Sequence, residues 1–400
     1  MIRIIVRAKR DADAIKAMLN LFYPNWNVVV KTLKGARGSV GINKLREIID
    51  EGNYNIVLVG KQDSNFLKLN EILGPNTVIH LVPREKIRNT RLSQLAYEFE
   101  KAKARFRLET SWNNGGYIFG ITPQGFKLPI EINPAYDVFL ETKDVVKKYL
   151  DIETNACELF VFVRKLGGEH DVFCGFKHVA KIKIPNRGRI QIIEKHILSR
   201  ECTVSLKKTL SENVRILEEL EKISVKYLMK LRNKFDIFFV PWSGGKDSTA
   251  TLILAIKALG KKRVKAVYVD TGVDFPVNRE YVEKIAKKLG VNLIIEEAGV
   301  DKELACGKPF PTNDNRWCTK LKITALYRAI SKNFDSKEEI AAIVGDRDGE
   351  SELRSKRPPL RTHEGFTQIA PIKLWSAAHT QLYLLWNNIP LNPLYELGLL

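Results

Sequence analysis

The sequence predicts an α/β protein in which a parallel, doubly wound sheet is preceded by a small α/β domain and a β-rich accessory domain. Two observations carry this prediction. Apolar runs of strand length alternate with amphipathic segments of helix length in residues 1–95, and again from residue 235 onward. Between these regions, residues 158–193 contain closely spaced strand-like runs. A chain of 400 residues is long enough for two to four such domains.

The small α/β domain is expected to occupy residues 1–95. Four apolar runs are predicted strands, at residues 2–8, 27–33, 55–60 and 77–83. The amphipathic segments between them are predicted helices, at residues 11–22, 40–52 and 63–74. Because the connections are short, we expect one parallel or mixed sheet. The domain contains no GxGxxG motif, so no dinucleotide site is predicted in it.

A mixed, β-rich accessory domain is expected over residues 96–200, followed by a linking helix over 201–234. NNGGYIFG at 113–120 indicates a hairpin, and KDVVKKYLD at 143–151 indicates a helix. The strand-like runs of 158–193 carry basic residues in their alternating pattern. This pattern favours a small barrel that binds nucleic acid.

The charge of the chain points to a polyanionic partner. Lys and Arg number 65 against 46 Asp and Glu, which gives a net charge of +19. Residues 1–110 carry +9 and residues 111–235 carry +6, so most of the excess precedes residue 236. Such a basic excess is typical of proteins that bind nucleic acid, and we favour RNA as the partner of residues 1–235. The alternative is a lysine-rich solvated surface of the kind found in thermophiles.

The cysteines and histidines indicate neither a disulfide scaffold nor a metal centre. No CxxC pair occurs among the five cysteines, which are Cys157, Cys174, Cys202, Cys306 and Cys318. The histidines form no HxxH or HExxH pair, so no metal ligands and no self-contained iron–sulfur cluster are predicted. The chain lacks an apolar run of ~18 residues and the order of regions of a signal peptide. We therefore expect a cytoplasmic protein without a membrane partner.

The segment that carries chemistry lies in the predicted C-terminal domain, residues 235–400. FDIFFVPW at 235–242 is typical of a strand buried on both faces, and a helix-like segment ends at Gly260. Between them stands SGGKDS at 243–248. Further predicted strands at 265–272 and 292–299, with a helix at 276–290 between them, give a parallel sheet with ligand groups at the carboxyl ends of its strands.

The SGGKDS segment has the composition of a phosphate cradle. Two adjacent glycines allow a tight turn, and a helix N-terminus adds unsatisfied N–H groups and a positive dipole end. The serine hydroxyls and the Lys246 ammonium add further positive and donor groups. The segment is not a Walker A loop, because Val240 and Asp247 stand where that loop needs Gly and Ser or Thr. An ordinary glycine-rich turn is the alternative, which the flanking strand and helix argue against.

Five segments, in order, resemble a known family. SGGKDS resembles the pyrophosphate loop of the PP-loop ATPases, the adenine nucleotide α-hydrolase-like superfamily. The other four resemble motifs of its phosphoadenosine phosphosulfate (PAPS) reductase-like branch: VDTGVDFP (269–276), NRWCTKLKI (315–323), GDRDGESELRSKRP (345–358) and PIKLW with IPLNPLYELG (371–375 and 389–398). The resemblance covers residues 235–400 and implies the doubly wound parallel sheet of that superfamily.

The resemblance implies a role for each matching residue. The residues that would hold the phosphates of ATP or PAPS are Ser243, Gly244, Gly245, Lys246, Asp247 and Ser248. Those that would face the ribose and base are Asp270, Thr271 and Gly272. Positive charge around the phosphates and the second substrate would come from Arg316, Lys320, Lys322, Arg347 and Arg354. Glu350 and Ser351 would order the loop that carries Arg347.

Four of these positions are expected to be catalytic, namely Lys246, Asp247, Arg347 and Cys318. Cys318 is either a sulfur carrier or nucleophile, or a small buried hydrophobe. Arg347 is either part of the site or a surface charge. Family members that use ATP cleave it between the α and β phosphates, adenylylate a substrate oxygen and release pyrophosphate, with Mg²⁺ bridging the phosphates.

The substrate class stays open between three hypotheses. Sulfonucleotide reductases of the family carry a catalytic cysteine near the C-terminus and often paired cysteines for a cluster, whereas no cysteine follows Cys318 here. The leading hypothesis is therefore an AMP-forming enzyme that adenylylates RNA, with tRNA as the favoured class, for sulfur transfer from a sulfur-donor protein. The alternatives are a PAPS reductase-like enzyme acting on a sulfonucleotide and a nucleotide-responsive RNA-binding protein without turnover.

Overall fold

The computed structural model describes residues 1–154, 156–185, 188–196, 203–312, 315–335, 338–363 and 365–396. The chain divides into two compact units. The first unit comprises Met1–Ser224, Arg347–Pro358 and Lys373–Trp386. The second unit comprises Val225–Asp346, Pro359–Ile372 and Asn387–Leu400. The division differs from the predicted domains, because two short segments from the predicted C-terminal domain join the first unit.

The first unit begins with the predicted α/β sheet. Its strands are β1 (Ile2–Val6), β2 (Val28–Thr32), β3 (Tyr54–Val59) and β4 (Thr77–Leu81). They pair in parallel in the order β2-β1-β3-β4. The first two connections contain α1 (Lys9–Phe22) and α2 (Gly38–Ile48). All residues of the inner strand β3 are buried, as the continuous apolar run predicted.

Two helices of this region differ from the prediction. The predicted helix over 63–74 is instead a 3₁₀ helix over Lys61–Glu71 that is interrupted at Asp63 (φ −117°, ψ 21°). Asp63 accepts a hydrogen bond from Nε of Arg7 at 2.8 Å, and this largely buried ion pair holds the residue at which the helix breaks. No helix was predicted at α3 (Leu92–Leu108), whose inward face carries Lys103 and Arg107 as well as apolar residues.

The remaining strands of the first unit are antiparallel. A small sheet contains β5 (Thr110–Asn113), β6 (Gly116–Phe119) and β7 (Phe126–Lys127), and it includes the predicted hairpin. The next elements are β8 (Asp137–Thr142), α4 (Lys143–Leu150), β9 (Leu159–Arg164), β10 (Glu169–Cys174), β11 (Lys177–Lys183) and β12 (Gln191–Lys195). The long helix α5 (Leu206–Met229) follows and lies within the range of the predicted linking helix, 201–234.

The prediction of a small barrel is wrong. The five later strands form one sheet in the order β12-β11-β10-β9-β8, so β12 and β8 lie at its two ends. A barrel would require the two end strands to pair with each other, and no such pairing occurs among the described residues. All five residues of β12 are exposed, which leaves this strand as an open edge of the sheet.

The second unit contains the predicted doubly wound sheet. Its strands are β13 (Ile237–Pro241), β14 (Val264–Asp270), β15 (Asn292–Glu297), β16 (Ile340–Ile343), β17 (Leu360–His363) and β18 (Phe366–Ile369). Its helices are α6 (Lys246–Leu259), α7 (Pro276–Leu289), α8 (Val300–Ala305) and α9 (Trp317–Asn333). The strand order is β15-β14-β13-β16-β18-β17, and the pairings are parallel except between β17 and β18.

The order of these strands creates a topological switch point between β13 and β16. From β13 the chain winds outward through β14 to β15, and it then returns to the other side of β13 as β16. One face of the sheet packs on α9 through a cluster that includes Phe239, Val267, Ala329 and Ala342. In open α/β sheets, ligands bind beyond the carboxyl ends of the strands at such a point. The connections after β13 and β16 are therefore the place for a site.

The two C-terminal segments of the first unit contain α10 (Glu352–Lys356) and α11 (Ala377–Trp386). Buried polar contacts hold them in that unit. Nη1 of Arg347 lies 2.6 Å from Oδ2 of Asp137 in β8, and Oδ2 of Asp348 lies 2.9 Å from Nζ of Lys103 in α3. The amide of Gln381 bonds both backbone groups of Leu140 in β8. Local sequence patterns carry no signal for such long-range pairs, which explains why the predicted domain boundaries differ.

A disulfide joins Cys157 and Cys174, which lie 6.5 Å apart at their Cα atoms. This bond was not predicted from the sequence, because the two cysteines are separated by 17 residues and belong to no recognised pattern. Among the described residues, Cys306 is an exposed free thiol and Cys318 is a half-buried one. Cys202 lies outside the described residues. No described helix is both long enough and apolar enough to cross a membrane.

Candidate functional site

The SGGKDS loop lies at the switch point of the second unit. It follows β13, and Lys246 begins α6. On the neighbouring strand, β16 leads into Gly345, where an added Cβ would lie 2.9 Å from the carbonyl carbon of Asp247. The close approach explains why a residue without a side chain stands at 345. The two connections that flank the switch point are thus packed directly against each other.

Gly244 gives the loop its turn. Its φ is +80°, a left-handed conformation that residues with a side chain rarely adopt. A Cβ on Gly244 would lie 2.5 Å from Oδ1 of Asn278 and 3.1 Å from Nδ2 of Asn392. The two asparagines hydrogen-bond each other at 2.7 Å, and Nδ2 of Asn392 also donates to the Gly244 carbonyl at 3.3 Å. The hydrogen-bonded side-chain amides of Asn278 and Asn392 therefore support the loop at Gly244.

The hydroxyl groups of the loop face one another. Oγ of Ser243 lies 3.2 Å from Oγ of Ser248, which donates to the Gly245 carbonyl at 3.0 Å. The backbone N–H groups of Ser243 and Gly245 reach these hydroxyls only at 3.4 Å. Such long contacts are weak, so phosphate oxygens can replace them at little cost. The arrangement concentrates donors at the start of a helix, where an anion is favoured.

Tyr395, in the C-terminal segment, contacts the loop. Its hydroxyl accepts a hydrogen bond from the backbone N–H of Lys246 at 3.0 Å, and Nζ of Lys246 lies 5.4 Å from the centre of its ring. Burial raises the pKa of Tyr395, so the hydroxyl stays protonated at neutral pH. Sequence reasoning did not assign Tyr395, Asn392 or Asn278 to the site. Tyr395 and Asn392 belong to the NPLY segment that the resemblance had matched, which was the available signal.

A cavity of about 520 Å³ opens beside the loop. Its apolar lining includes Val267, Tyr268, Phe275, Ile323 and Leu394. Burial raises the pKa of Tyr268 to about 12, so its hydroxyl is neutral, and it accepts a hydrogen bond from Nδ2 of Asn278 at 3.2 Å. A largely apolar cavity of this size with a few polar groups suits a small ligand such as a nucleoside.

The predicted ribose-facing residues lie at the carboxyl end of β14. Asp270 accepts hydrogen bonds from the backbone N–H of Gly272 at 2.9 Å and from Nη1 of Arg279 at 3.1 Å. Thr271 is buried, and Gly272 has a φ of +77° with Asp301 packed where a side chain would stand. The structure therefore places all three in the second unit, one strand away from the loop in the sheet order.

The residues predicted at 316–322 lie at the start of α9. Arg316 and Lys320 are exposed, and Lys322 is exposed on the rim of the 520 Å³ cavity. Cys318 is half-buried and packs against an apolar cluster that contains Ala298, Val300 and Ala325. Both interpretations of Cys318, as a small buried hydrophobe and as a catalytic thiol, stay predictions.

The four predicted residues of the 345–358 segment belong to the first unit. Arg347 is 3% exposed, with its guanidinium on Asp137 and its N–H donated to Oε2 of Glu350 at 2.9 Å. Glu350 also pairs with Arg354, whose N–H is capped by Oγ of Ser351 at 3.2 Å. Glu350 and Ser351 line a cavity of about 1040 Å³ in this unit. The structure thus gives these residues a structural role, and their part in binding phosphates stays a prediction.

The comparison with protein families agrees with the geometry of the second unit. Residues 237–399 match the model of the phosphoadenosine phosphosulfate reductase domain. Over these residues the chain is similar to the PAPS reductase domain. This confirms the family that the five motifs predicted, over the region that they predicted.

The curated relatives similar to this chain include two groups. Two uncharacterised proteins of Methanocaldococcus jannaschii are 30% and 31% identical, over 46% and 47% of this chain and 39% and 46% of their own length. Sulfate adenylyltransferase subunit 2 of Saccharophagus degradans is 29% identical over 45% of this chain and 66% of that protein. The chain spans less than half the length of the two Methanocaldococcus relatives.

Solved structures similar to this chain include two enzymes. PAPS reductase from Candida auris, in a phosphate complex, is 21% identical with a TM-score of 0.36, and the match covers 49% of this chain and 93% of that one. NMN synthetase from Francisella tularensis is 15% identical with a TM-score of 0.35, and the match covers 44% of this chain and 71% of that one.

Proposed function

We propose that the second unit binds ATP at the SGGKDS loop and cleaves it between the α and β phosphates, with transfer of the adenylyl group to a substrate. The observation that carries the proposal is the loop itself, which sits at the switch point with Gly244 in a left-handed conformation and a nucleoside-sized cavity beside it. The phosphates would occupy the loop, and the adenosine would occupy the cavity.

The residues of the loop suit this reaction. A substrate oxygen attacks the α phosphorus, the bond from that phosphorus to the bridging oxygen breaks, and pyrophosphate leaves with the bond electrons. Positive charge near the leaving group stabilises the transition state. Lys246, at the start of α6, supplies such a charge next to the N–H groups of the helix N-terminus. A nucleophile then displaces AMP from the adenylylated substrate.

Mg²⁺ is part of this proposal, because it would stabilise negative charge on the phosphates of ATP. Mg²⁺ prefers oxygen ligands, keeps several waters and needs only one or two carboxylates from the protein. Asp247 in the first turn of α6 offers such a carboxylate beside the loop, so the residues present fit the ion. Asp247 would hold the ion, which would neutralise phosphate charge during cleavage.

We propose that the substrate is RNA and that the outcome of the reaction is sulfur transfer. We also propose that the protein is cytoplasmic. The support is the net charge of +19, most of which lies before residue 236. Basic surfaces bind RNA chiefly through its phosphates, so the affinity should fall steeply with salt. A sulfur-donor protein would complete the reaction. Without turnover, the same features would describe a nucleotide-responsive RNA-binding protein.

A small oxyanion is the second candidate substrate. The similarity to sulfate adenylyltransferase subunit 2 favours it, since that name describes transfer of an adenylyl group to sulfate. In this case the products are pyrophosphate and an adenylyl sulfate, and RNA plays no part. A PAPS reductase-like reaction on a sulfonucleotide is the remaining alternative, for which the family match is the support.

The test measures AMP and pyrophosphate from α-labelled ATP with Mg²⁺, alone, with total tRNA and with sulfate. RNA-stimulated AMP formation supports the leading proposal, whereas labelled adenylyl sulfate supports the oxyanion alternative. Lys246→Ala should abolish turnover without unfolding the protein, and Lys262→Ala, an exposed lysine beyond the end of α6, is the matched control. Unchanged turnover in Lys246→Ala would contradict the assignment of the loop. Nucleotide binding without pyrophosphate release would exclude an ATP-cleaving enzyme.

A further inference from the structure

We propose that His178, Glu194 and His196 bind a divalent transition-metal ion of the zinc class at the open edge of the sheet β12-β11-β10-β9-β8. His178 lies in β11, Glu194 lies in β12, and His196 directly follows β12. One ligand atom from each of the three residues lies within 4.8 Å of the other two. The site belongs to the first unit, whereas the SGGKDS loop belongs to the second.

The distances agree with a tetrahedral ion after small side-chain rotations. For metal–ligand bonds of about 2.0–2.1 Å, two ligands of a tetrahedral ion are about 3.3–3.4 Å apart. Nε2 of His196 lies 3.9 Å from Oε2 of Glu194. The rings of His178 and His196 are tilted by 59°, with their centres 5.6 Å apart. Two imidazoles that share a tetrahedral ion place their ring centres about 5 Å apart.

The backbone holds the three residues together. The N–H of His196 donates to the carbonyl of Val179 at 2.9 Å, which ties His196 to the residue that follows His178. Glu194 is paired with Lys181 in the ladder between β11 and β12. The ligands thus come from two neighbouring, hydrogen-bonded strands and not from flexible side chains on separate loops. Binding of the ion therefore requires little additional ordering of the backbone.

The neighbouring lysines have carboxylate partners outside the three residues, although Lys181 also interacts electrostatically with Glu194. Three lysines of this sheet have other partners: Lys165 pairs with Asp171, Lys181 lies 3.2 Å from Glu169, and Lys195 lies 3.6 Å from Asp151. Oδ1 of Asp171 lies 3.4 Å from Nε2 of His178. A carboxylate behind a ligating histidine orients the ring and raises its basicity. Asp171 is therefore placed as an outer carboxylate of the site.

The donor set identifies the class of ion. Two imidazoles and one carboxylate suit Zn²⁺ and its neighbours in the first transition series, whereas Mg²⁺ and Ca²⁺ prefer oxygen ligands. Three protein ligands leave one position for water. Glu194 and His196 are exposed, so the ion can enter directly from solvent. Bound metal would join the edge strand β12 to β11 and stabilise that edge.

The test is a titration of the full-length protein, freed of metal with EDTA, by Zn²⁺ in a calorimeter and by Co²⁺ in an absorption spectrometer. We expect one saturable site per chain with micromolar or tighter affinity, and a Co²⁺ spectrum of a tetrahedral complex with nitrogen and oxygen ligands. His178→Ala and His196→Ala should each weaken the affinity by at least about 10-fold. Glu194→Gln should weaken it less, because the two imidazoles remain.

Two controls separate this site from other metal binding. His363→Ala removes an exposed histidine of the second unit and should leave the affinity unchanged. The variant Cys306→Ser/Cys318→Ser removes the free thiols among the described residues and should also bind normally. Circular dichroism checks that each variant is folded. The proposal is overturned if the wild-type protein shows no saturable site, if the histidine variants bind as the wild type does, or if the serine variant loses the site.

Discussion

Gly244 is the residue of the loop where both backbone conformation and space require glycine. Its φ is +80°, and Oδ1 of Asn278 lies 2.5 Å from the position of an added Cβ. Gly244→Ala should therefore displace the loop or the asparagine pair and reduce the affinity for ATP by about 10-fold or more, since a loss of about 1.4 kcal/mol of binding energy is tenfold. Equilibrium binding of a fluorescent ATP analogue measures this change.

Gly260 provides a matched control at the other end of the same helix. Its φ is +84°, yet nothing lies within 4 Å of the position of an added Cβ. Gly260→Ala should lower the free energy of unfolding by about 1–3 kcal/mol through backbone strain, and it should leave nucleotide binding intact. Equal nucleotide affinities in the two variants would show that the space around Gly244 does not matter.

His379 is a buried neutral histidine with both ring nitrogens engaged. Nε2 donates to the carbonyl of Phe119 at 2.8 Å, and Nδ1 accepts from the N–H of Ser376 at 3.0 Å. Burial lowers the pKa of His379 to about 4. In the unfolded chain its pKa is about 6.5, so between these values only the unfolded chain binds the proton. The stability contributed by His379 is therefore lost as the pH falls from about 6.5 to about 4.

This linkage predicts the effect of His379→Gln. The wild-type protein should lose up to about 3 kcal/mol more unfolding free energy than the variant between pH 7 and pH 4. Urea unfolding at several pH values measures the difference, and His363→Gln, at an exposed position, should keep the wild-type pH dependence. Identical pH dependence in wild type and His379→Gln would exclude His379 as the titrating group.

At the scale of elements, the Cys157–Cys174 disulfide ties the segment before β9 to the end of β10. Closing a loop of about this length stabilises a folded protein by about 3 kcal/mol, mainly because it restricts the unfolded chain. The double variant Cys157→Ser/Cys174→Ser should lose that amount in chemical unfolding. Cys306→Ser, at the exposed free thiol, should be unchanged. A double variant as stable as the wild type would contradict a stabilising disulfide.

The predictions of strands and helices are confirmed where the apolar pattern is compatible with only one conformation. Buried runs such as Tyr54–Val59 and Ile237–Pro241 are strands as predicted, because residues covered on both faces must be apolar throughout. The helix predicted at 63–74 is a 3₁₀ helix instead, since its break depends on the ion pair of Asp63 with Arg7. α3 was not predicted because its inward face buries Lys103 and Arg107. Charged residues on the buried face interrupt the alternation of apolar and polar residues that marks an amphipathic helix.

At the scale of the whole molecule, a buried charge cluster ties the Arg347–Pro358 and Lys373–Trp386 segments to the rest of the first unit. Asp348 lies between Lys103 at 2.9 Å and Lys373 at 2.7 Å. Burial alone would raise the pKa of Asp348, but the two ammonium groups outweigh it and lower that pKa below its ordinary value. A chain cut at residue 235 would lose Asp348 and leave Lys103 buried without this partner.

The cluster predicts a large effect for Asp348→Asn. Both ammonium groups lose a buried counter-charge, which should lower the free energy of unfolding by about 3–5 kcal/mol. The control is Glu352→Gln in the same segment, where an exposed carboxylate pairs with Lys356, and no measurable change is expected. Thermal and urea unfolding of the full-length variants compare the two. Equal stability in both variants would mean that the cluster does not hold the segments in place.

The sequence by itself determined the doubly wound sheet and the place of the SGGKDS loop between β13 and α6, and its motifs pointed to the family whose model matches residues 237–399. The sheet and the loop follow from local sequence patterns, because apolar runs, adjacent glycines and the start of a helix can each be recognised within a few residues. The family resemblance, and not local sequence patterns, implied roles for Asp270 and Lys322. The structure has them at the end of β14 and on the cavity rim, and their part in binding stays a prediction.

Only the tertiary structure decided which distant residues meet. It brought Asn278, Asn392 and Tyr395 to the loop, and Arg347 to Asp137 in the first unit. It also replaced the predicted barrel by an open sheet and assembled His178, Glu194 and His196 at its edge. Strand pairing and long-range ion pairs join residues far apart in the chain, and their energies depend on burial and register. No short stretch of the sequence determines burial or strand register, so both are known only from the folded structure.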